Sequence, residues 1–136
     1  MPYVFAASAP GVLPQIALTN SQTWVPPMDG NICIHVIGAG GAGEGHGVQS
    51  GGAGGYCKKN SLAVTTSGSY TVVIGSGGTA GANTAGGNGG NTTFAGTGLS
   101  STLTANGGTG GGASNGTGGT AANGDVNNTG GAGADY

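Results

Sequence analysis

The sequence predicts a mainly β fold with irregular structure and no significant helix. Its 136 residues include 35 glycines and five prolines, a glycine content that excludes an ordinary helical domain. Several short runs instead alternate apolar and polar residues, which is typical of half-buried strands. We therefore expect short antiparallel strands, arranged as a small sandwich, that support glycine-rich segments resembling polyproline II helices.

The first and clearest strand is "NICIHVIG", which follows a Pro pair and the turn residues Asp29 and Gly30. Its alternation places Ile32, Ile34 and Val36 on one face. The opposite face carries Cys33, His35 and Ile37. Further strands are predicted, in chain order, at "YCKKNSLAVTT", "GSYTVVIG", "NTTFAG" and "LSSTLTAN".

Three glycine-rich stretches, Gly38–Gly55, Gly75–Gly90 and Gly107–Gly133, separate or follow these strands. They lack proline and a strict Gly-X-Y period, so they are not collagen. Flexible loops are the alternative, but structureless loops longer than about 12–15 residues are uncommon in compact domains. Because glycine carries no side chain, such stretches can instead pack as extended polyproline II helices joined by backbone contacts.

These patterns divide the chain into an extended arm (1–22), a glycine-rich β domain (23–106) and a glycine-rich tail (107–136). The arm is punctuated by prolines and contains scattered apolar residues, so we expect it to anchor the protein to a partner. The tail is expected to pack on the domain or on neighbouring subunits. Only 21 residues are Leu, Ile, Val or Phe, which favours a homo-oligomer over a monomer.

Charge and hydropathy restrict the partners. The two basic residues, Lys58 and Lys59, cannot neutralise the phosphates of a nucleic acid, and the net charge is −2. No apolar run approaches the length of about 20 residues that spans a bilayer. The N-terminus lacks the basic region of a signal peptide, so we expect synthesis in a cytoplasm without export.

Gly38–Gly43 fits the G-x-G-x-x-G pattern of a dinucleotide-binding turn. The following "EGHGVQSGGAGG" has no helical period, and lysines stand where the ribose-binding acidic residue is expected. We therefore predict no nucleotide or other cofactor. A calcium loop at Asp125–Gly130 is equally poorly supported, since position 12 of the pattern is Tyr136.

Four residues, Cys33, His35, His46 and Cys57, are the candidates for a metal site. Their gaps are longer than the paired spacings of zinc sites, so the prediction is that they bind no metal. No paired carboxylates, nucleophile elbow or P-loop occurs, and we expect no catalytic residues and no enzyme activity.

Residues 24–94 resemble the glycine-rich domain of bacteriophage tail-fibre and tail-tip proteins and adhesins. The resemblance rests on "WVPP", "IHVIGAGG" at 34–41, "SGGAGGYCKK" at 50–59, "YTVVIGSGG" at 70–78 and "GGNGGNTTF" at 86–94. It implies a virion surface protein, packed glycine helices on small strands, frequent trimeric assembly and exposed loops that contact a host receptor in some relatives.

From this resemblance we expect a phage structural protein, either a short fibre or tip component or, as the alternative, a capsid decoration or head-fibre protein. Its partners would be other virion proteins, bound through residues 1–22, and a host surface receptor. A glycine-rich matrix protein or a small metal-binding module is the remaining alternative.

Overall fold

The computed structural model describes residues 15–82 and 84–134. Within these ranges the chain forms strands and extended segments and no helix. The strands in chain order are β1 (Gln22–Trp24), β2 (Gly30–Ile37), β3 (Tyr56–Val64), β4 (Tyr70–Val73), β5 (Thr92–Gly96), β6 (Leu103–Ala105), β7 (Ala121–Ala122) and β8 (Val126–Asn128). The five strands predicted from the sequence, β2 to β6, are confirmed.

The strands form two antiparallel sheets that pack face to face and do not close into a barrel. One sheet has the order β1-β4-β5-β6-β7 and the other the order β2-β3-β8. Their facing sides bury a hydrophobic core of mostly aliphatic and aromatic residues at alternate strand positions. This core contains Ile34, Val36, Cys57, Leu62, Val64, Tyr70, Val72, Phe94, Leu103 and Ala105. We call the two sheets the base.

The long pairing of β2 with β3 contains a β-bulge. Ile32 pairs with Leu62 and Ile34 pairs with Lys59, so one residue of β2 faces two residues of β3. The extra residue reverses the alternation along β3. Cys57 and Leu62 are therefore both buried although an even-odd pattern would place them on opposite faces.

Beyond the base, the three glycine-rich stretches form an array of seven extended segments, at 38–44, 49–55, 75–79, 86–90, 106–111, 116–120 and 130–133. Backbone hydrogen bonds join neighbouring segments at every third residue. In the first pair the donors are the N–H groups of Gly38, Gly41 and Glu44 and the acceptors are the carbonyls of Gly55, Gly52 and Gln49. A three-residue repeat is that of a polyproline II helix, as the sequence predicts.

The array requires glycine because backbones approach too closely for a side chain. A Cβ atom added at Gly41 would lie far inside the 3.0 Å limit from the backbone of Thr109. Among the described glycines only Gly96 and Gly98, both outside the array, have positive φ. Close approach, and not left-handed backbone, therefore explains the glycine content of the array.

Three strands were not predicted, namely β1, β7 and β8. Each has two or three residues and pairs with a strand distant in sequence, so it shows no local periodicity. No described segment is a helix long and apolar enough to cross a bilayer. Of the predicted arm 1–22, residues 1–14 lie outside the described residues.

Candidate functional site

The four candidate metal ligands do not meet at one point. Cys33 and His35 lie on the exposed face of β2, with the Cys33 Sγ 3.5 Å from the His35 Nε2. Cys57 points into the core from β3, and His46 lies at the far end of the array. Within the described ranges, no three His, Cys, Asp or Glu side chains are grouped closely enough to hold a metal ion.

The imidazole of His35 connects two neighbouring groups. Its Nδ1 is hydrogen-bonded to the Tyr56 hydroxyl at 2.7 Å, and its Nε2 faces the thiol of Cys33. This arrangement leaves Cys33 as an exposed free thiol within hydrogen-bonding distance of an imidazole nitrogen. The three side chains share one face of the β2–β3 pair.

Cys57 has the opposite environment. It is completely buried, and its thiol donates a hydrogen bond to the carbonyl of Ala122 at 3.3 Å. Desolvation by burial raises the pKa of this thiol. Cys57 therefore contributes to packing, and it is inaccessible to the solvent that reaches Cys33.

The nucleotide-like stretch Gly38–Gly43 is part of the array. The N–H groups of Gly38, Ala39, Gly41 and Ala42 all donate to carbonyls of neighbouring segments, at 2.9 to 3.1 Å. A phosphate-binding turn needs free N–H groups at the start of a helix, and these four are already paired.

The Asp125 and Asn127 side chains of Asp125–Gly130, the stretch that resembles a calcium loop, are hydrogen-bonded within the protein. The carboxylate of Asp125 accepts hydrogen bonds from the Lys59 Nζ at 2.8 Å and from the backbone N–H of Asn60, at the β3 bulge, at 2.7 Å. These bonds lower the pKa of Asp125. The Asn127 amide is bonded to Gly124, and Tyr136 lies outside the described residues.

Three turns gather at the end of the array that lies away from the base. They comprise residues 45–48, 80–85 (without Asn83, which lies outside the described residues) and 112–115, and we call them the tip. The N–H of Gly45 donates to the Thr84 carbonyl at 3.4 Å, and Asn115 Oδ1 accepts from the Ser50 N–H at 3.0 Å. Val48 is 53% exposed here, next to the exposed His46. These residues lie within the three glycine-rich stretches, and the sequence gives no sign that they form turns that converge.

An apolar groove of about 830 Å³ opens at the other end of the molecule, along β2. Its wall includes Ile16, Leu18, Trp24, Ile32 and Ile37, and none of the described residues that line it is Asp, Glu, Lys or Arg. β2 is the first strand of its sheet and pairs, within the described residues, with β3 alone. The outer edge of β2 therefore presents unpaired backbone groups beside the groove. The sequence does not predict this groove, because it arises from pairing between strands that are distant in sequence.

Comparison with known proteins identifies the domain type. The family model described as a glycine-rich domain matches residues 17–136, which include both the base and the whole array. No curated protein and no solved structure matches the chain.

Proposed function

The chain belongs to this glycine-rich domain family, and from the resemblance of residues 24–94 to the domain of phage tail-fibre proteins we propose that it is a non-enzymatic structural protein on the surface of a bacteriophage particle. In this proposal it is a short fibre or tip component. Its base and residues 1–22 attach it to other virion proteins, and its tip faces the host surface. Copies assemble as a homo-oligomer, with a trimer favoured.

The observation that supports this proposal is the convergence of the three turns at one end of the array. Interior glycines of the array have no room for a Cβ atom, so its hydrogen-bonded segments form a rigid spacer. A rigid scaffold that carries variable turns at one end is a common arrangement for recognition. The turns carry few ionisable groups, so contact with a receptor would rest on polar and apolar groups such as His46 and Val48.

The location of the chain in assembled particles tests this function. Purified particles from the source culture would be labelled with gold-conjugated antibodies raised against the peptide 44–50 and viewed by electron microscopy. We expect label at the end of the tail. Label on the head would replace the fibre proposal with the capsid-decoration alternative, and particles without label would refute a virion role. Antibody blocked with the purified chain is the control.

The role of the tip can be tested separately. Val48→Asp changes an exposed side chain in the turn 45–48 without disturbing the core. We expect particles carrying it to contain normal amounts of the protein and to adsorb more slowly to host cells. Unchanged adsorption, also with His46→Ala added, would refute contact between the tip and the host.

A further inference from the structure

Cys33 and His35 form a pair of metal-binding groups on the exposed face of β2. They are two residues apart in the strand, so both side chains point to the same side of the sheet, and both are exposed. The Cys33 Sγ lies 3.5 Å from the His35 Nε2. A tetrahedral zinc ion bonds a thiolate sulfur at about 2.3 Å and an imidazole nitrogen at about 2.0–2.1 Å, which sets these two ligand atoms about 3.5 Å apart. The pair therefore already has the spacing of two zinc ligands.

The other ring nitrogen of His35 is held as it is in zinc-binding histidines. A histidine that binds a metal through Nε2 carries its proton on Nδ1 and donates it to a neighbouring acceptor, which fixes the orientation of the ring. In this chain the Nδ1 of His35 is 2.7 Å from the hydroxyl oxygen of Tyr56 on β3. With zinc on Nε2, Nδ1 would donate to this oxygen, so Tyr56 would orient the imidazole toward a metal shared with Cys33.

These two side chains supply half of a structural zinc site. Such sites have four protein ligands, for example two cysteines and two histidines. Among the described residues no third His, Cys, Asp or Glu is grouped with Cys33 and His35, because Cys57 is buried in the core and His46 lies at the tip. The other two ligands must come from a second molecule. A second copy related by a two-fold axis presents the same pair and completes the set of four.

The surroundings of the pair suit a contact between two copies. Ile37, the next residue on this face of β2, is 64% exposed, and a facing copy would cover it. Two thiolates balance the charge of one zinc ion, so the centre brings no net charge into the contact. Lys58 lies opposite His35 on β3, and its long stem lets the ammonium group stay in solvent.

We propose that Cys33 and His35 of two copies bind one zinc ion between them and so join the chains through the exposed faces of their β2 strands. Binding releases the two thiol protons and gives the metal two sulfur and two nitrogen ligands, so no oxidant or reductant takes part. The four candidate ligands of one chain do not form this site; two of them form half of it. The proposal goes beyond the virion proposal and does not depend on it, since the contact uses none of residues 1–22 and forms between purified chains.

Sedimentation velocity with and without zinc tests the proposal. The full-length chain, without an affinity tag and kept reduced, is first freed of metal with EDTA. We expect added zinc to double the mass of the sedimenting species at about one zinc ion per two chains, and EDTA to reverse this association. Cobalt(II) in place of zinc should show the visible absorption of a tetrahedral ion with thiolate ligands. A mass that does not respond to zinc, or one zinc ion bound per chain without association, would overturn the proposal.

Variants identify the ligands. Cys33→Ser and His35→Ala should each abolish the zinc-dependent association, because each removes two of the four ligands of the shared ion. Tyr56→Phe removes only the bond to Nδ1 and should weaken zinc binding about tenfold. His46→Ala, which replaces an exposed histidine at the tip, is the matched control and should change neither binding nor association. The near-ultraviolet circular dichroism of each metal-free variant verifies that it is folded. Association that survives Cys33→Ser, or that His46→Ala also abolishes, would overturn the proposal.

Discussion

Gly52→Ala should severely destabilise the protein, whereas Gly77→Ala should not. Gly52 is buried in the array, and an added Cβ atom would lie well under 3.0 Å from the carbonyl group of Thr117. Real Cβ atoms do not approach backbone this closely, so neighbouring segments would have to separate. An added Cβ atom at Gly77 meets nothing within 4 Å, although this glycine also belongs to the array.

The expected loss of stability in Gly52→Ala follows from the hydrogen bonds that would be strained when neighbouring segments of the array separate. The N–H of Gly52 donates to the Thr109 carbonyl and its carbonyl accepts from the Gly41 N–H, both at 2.9 Å. Overpacking costs about 1–3 kcal/mol, and each buried group left unpaired adds about 1–3 kcal/mol. With one or two of these groups affected, we expect the free energy of unfolding to fall by about 2–9 kcal/mol, a large part of a typical 5–15 kcal/mol. Gly77→Ala should instead raise it by up to about 1 kcal/mol, because alanine restricts the unfolded chain.

Urea unfolding followed by the fluorescence of Trp24, the single tryptophan, measures both variants. Because Trp24 lies in the base, the same experiment also shows whether the base and the array unfold together. Amide hydrogen exchange at Gly52 and Gly41 reports directly on the array. If the two variants have free energies of unfolding within about 0.5 kcal/mol of each other, close packing does not explain the glycine content, and the reasoning is refuted.

Three further predictions concern the base. Asp125→Asn should lower the melting temperature at neutral pH. The lowered pKa of Asp125 means that its carboxylate stabilises the fold above pH ~4 and that this stabilisation disappears on acidification. The melting temperatures of the two proteins should therefore converge at low pH. If the difference in melting temperature between the two proteins were the same at neutral and low pH, the bonds of Asp125 to Lys59 and to the β3 bulge would not stabilise the fold. With a thiol reagent such as DTNB, the folded chain should react at Cys33 alone, and the urea-unfolded chain should react at Cys57 as well. Rapid reaction of both thiols in the folded chain would contradict the burial of Cys57. Tyr70→Phe should maintain or raise the free energy of unfolding in urea, by up to about 1–2 kcal/mol, because the buried Tyr70 hydroxyl has no hydrogen-bond partner among the residues that the structure describes. A substantial loss would show that this hydroxyl is paired.

The base could be predicted where a strand is long enough to show its period. In β2 the alternation gives the correct faces: Ile34 and Val36 are buried, and Cys33 and His35 are exposed. The bulge in β3 could not be predicted, because it depends on the register with β2 and on the carboxylate of Asp125, which is distant in sequence. The groove depends in the same way on which strands become edges.

The sequence predicts that the glycine-rich stretches form extended segments, but it does not predict which segments lie side by side. Glycine stretches without proline or a collagen period indicate extended segments that pack through their backbones. Most of their positions are glycine and the others are small or polar residues, so the sequence contains little that distinguishes one neighbouring segment from another. The order and direction of the segments are set by the strands from which they extend: segment 106–111 is hydrogen-bonded to four others, parallel to 38–44 and antiparallel to 49–55, 86–90 and 116–120.

The three-residue spacing of the array hydrogen bonds limits how the length of such a domain can change. One residue inserted within a segment such as 49–55 would shift every later donor away from its acceptor, whereas three residues would restore the register. A whole triplet added to both 38–44 and 49–55 would lengthen that pair while keeping its bonds aligned. Insertions of any size fit in the turns 45–48, 80–85 and 112–115. Domains of this design can therefore grow away from the base only in steps of one polyproline II turn, about 9 Å, while their tips vary freely in length.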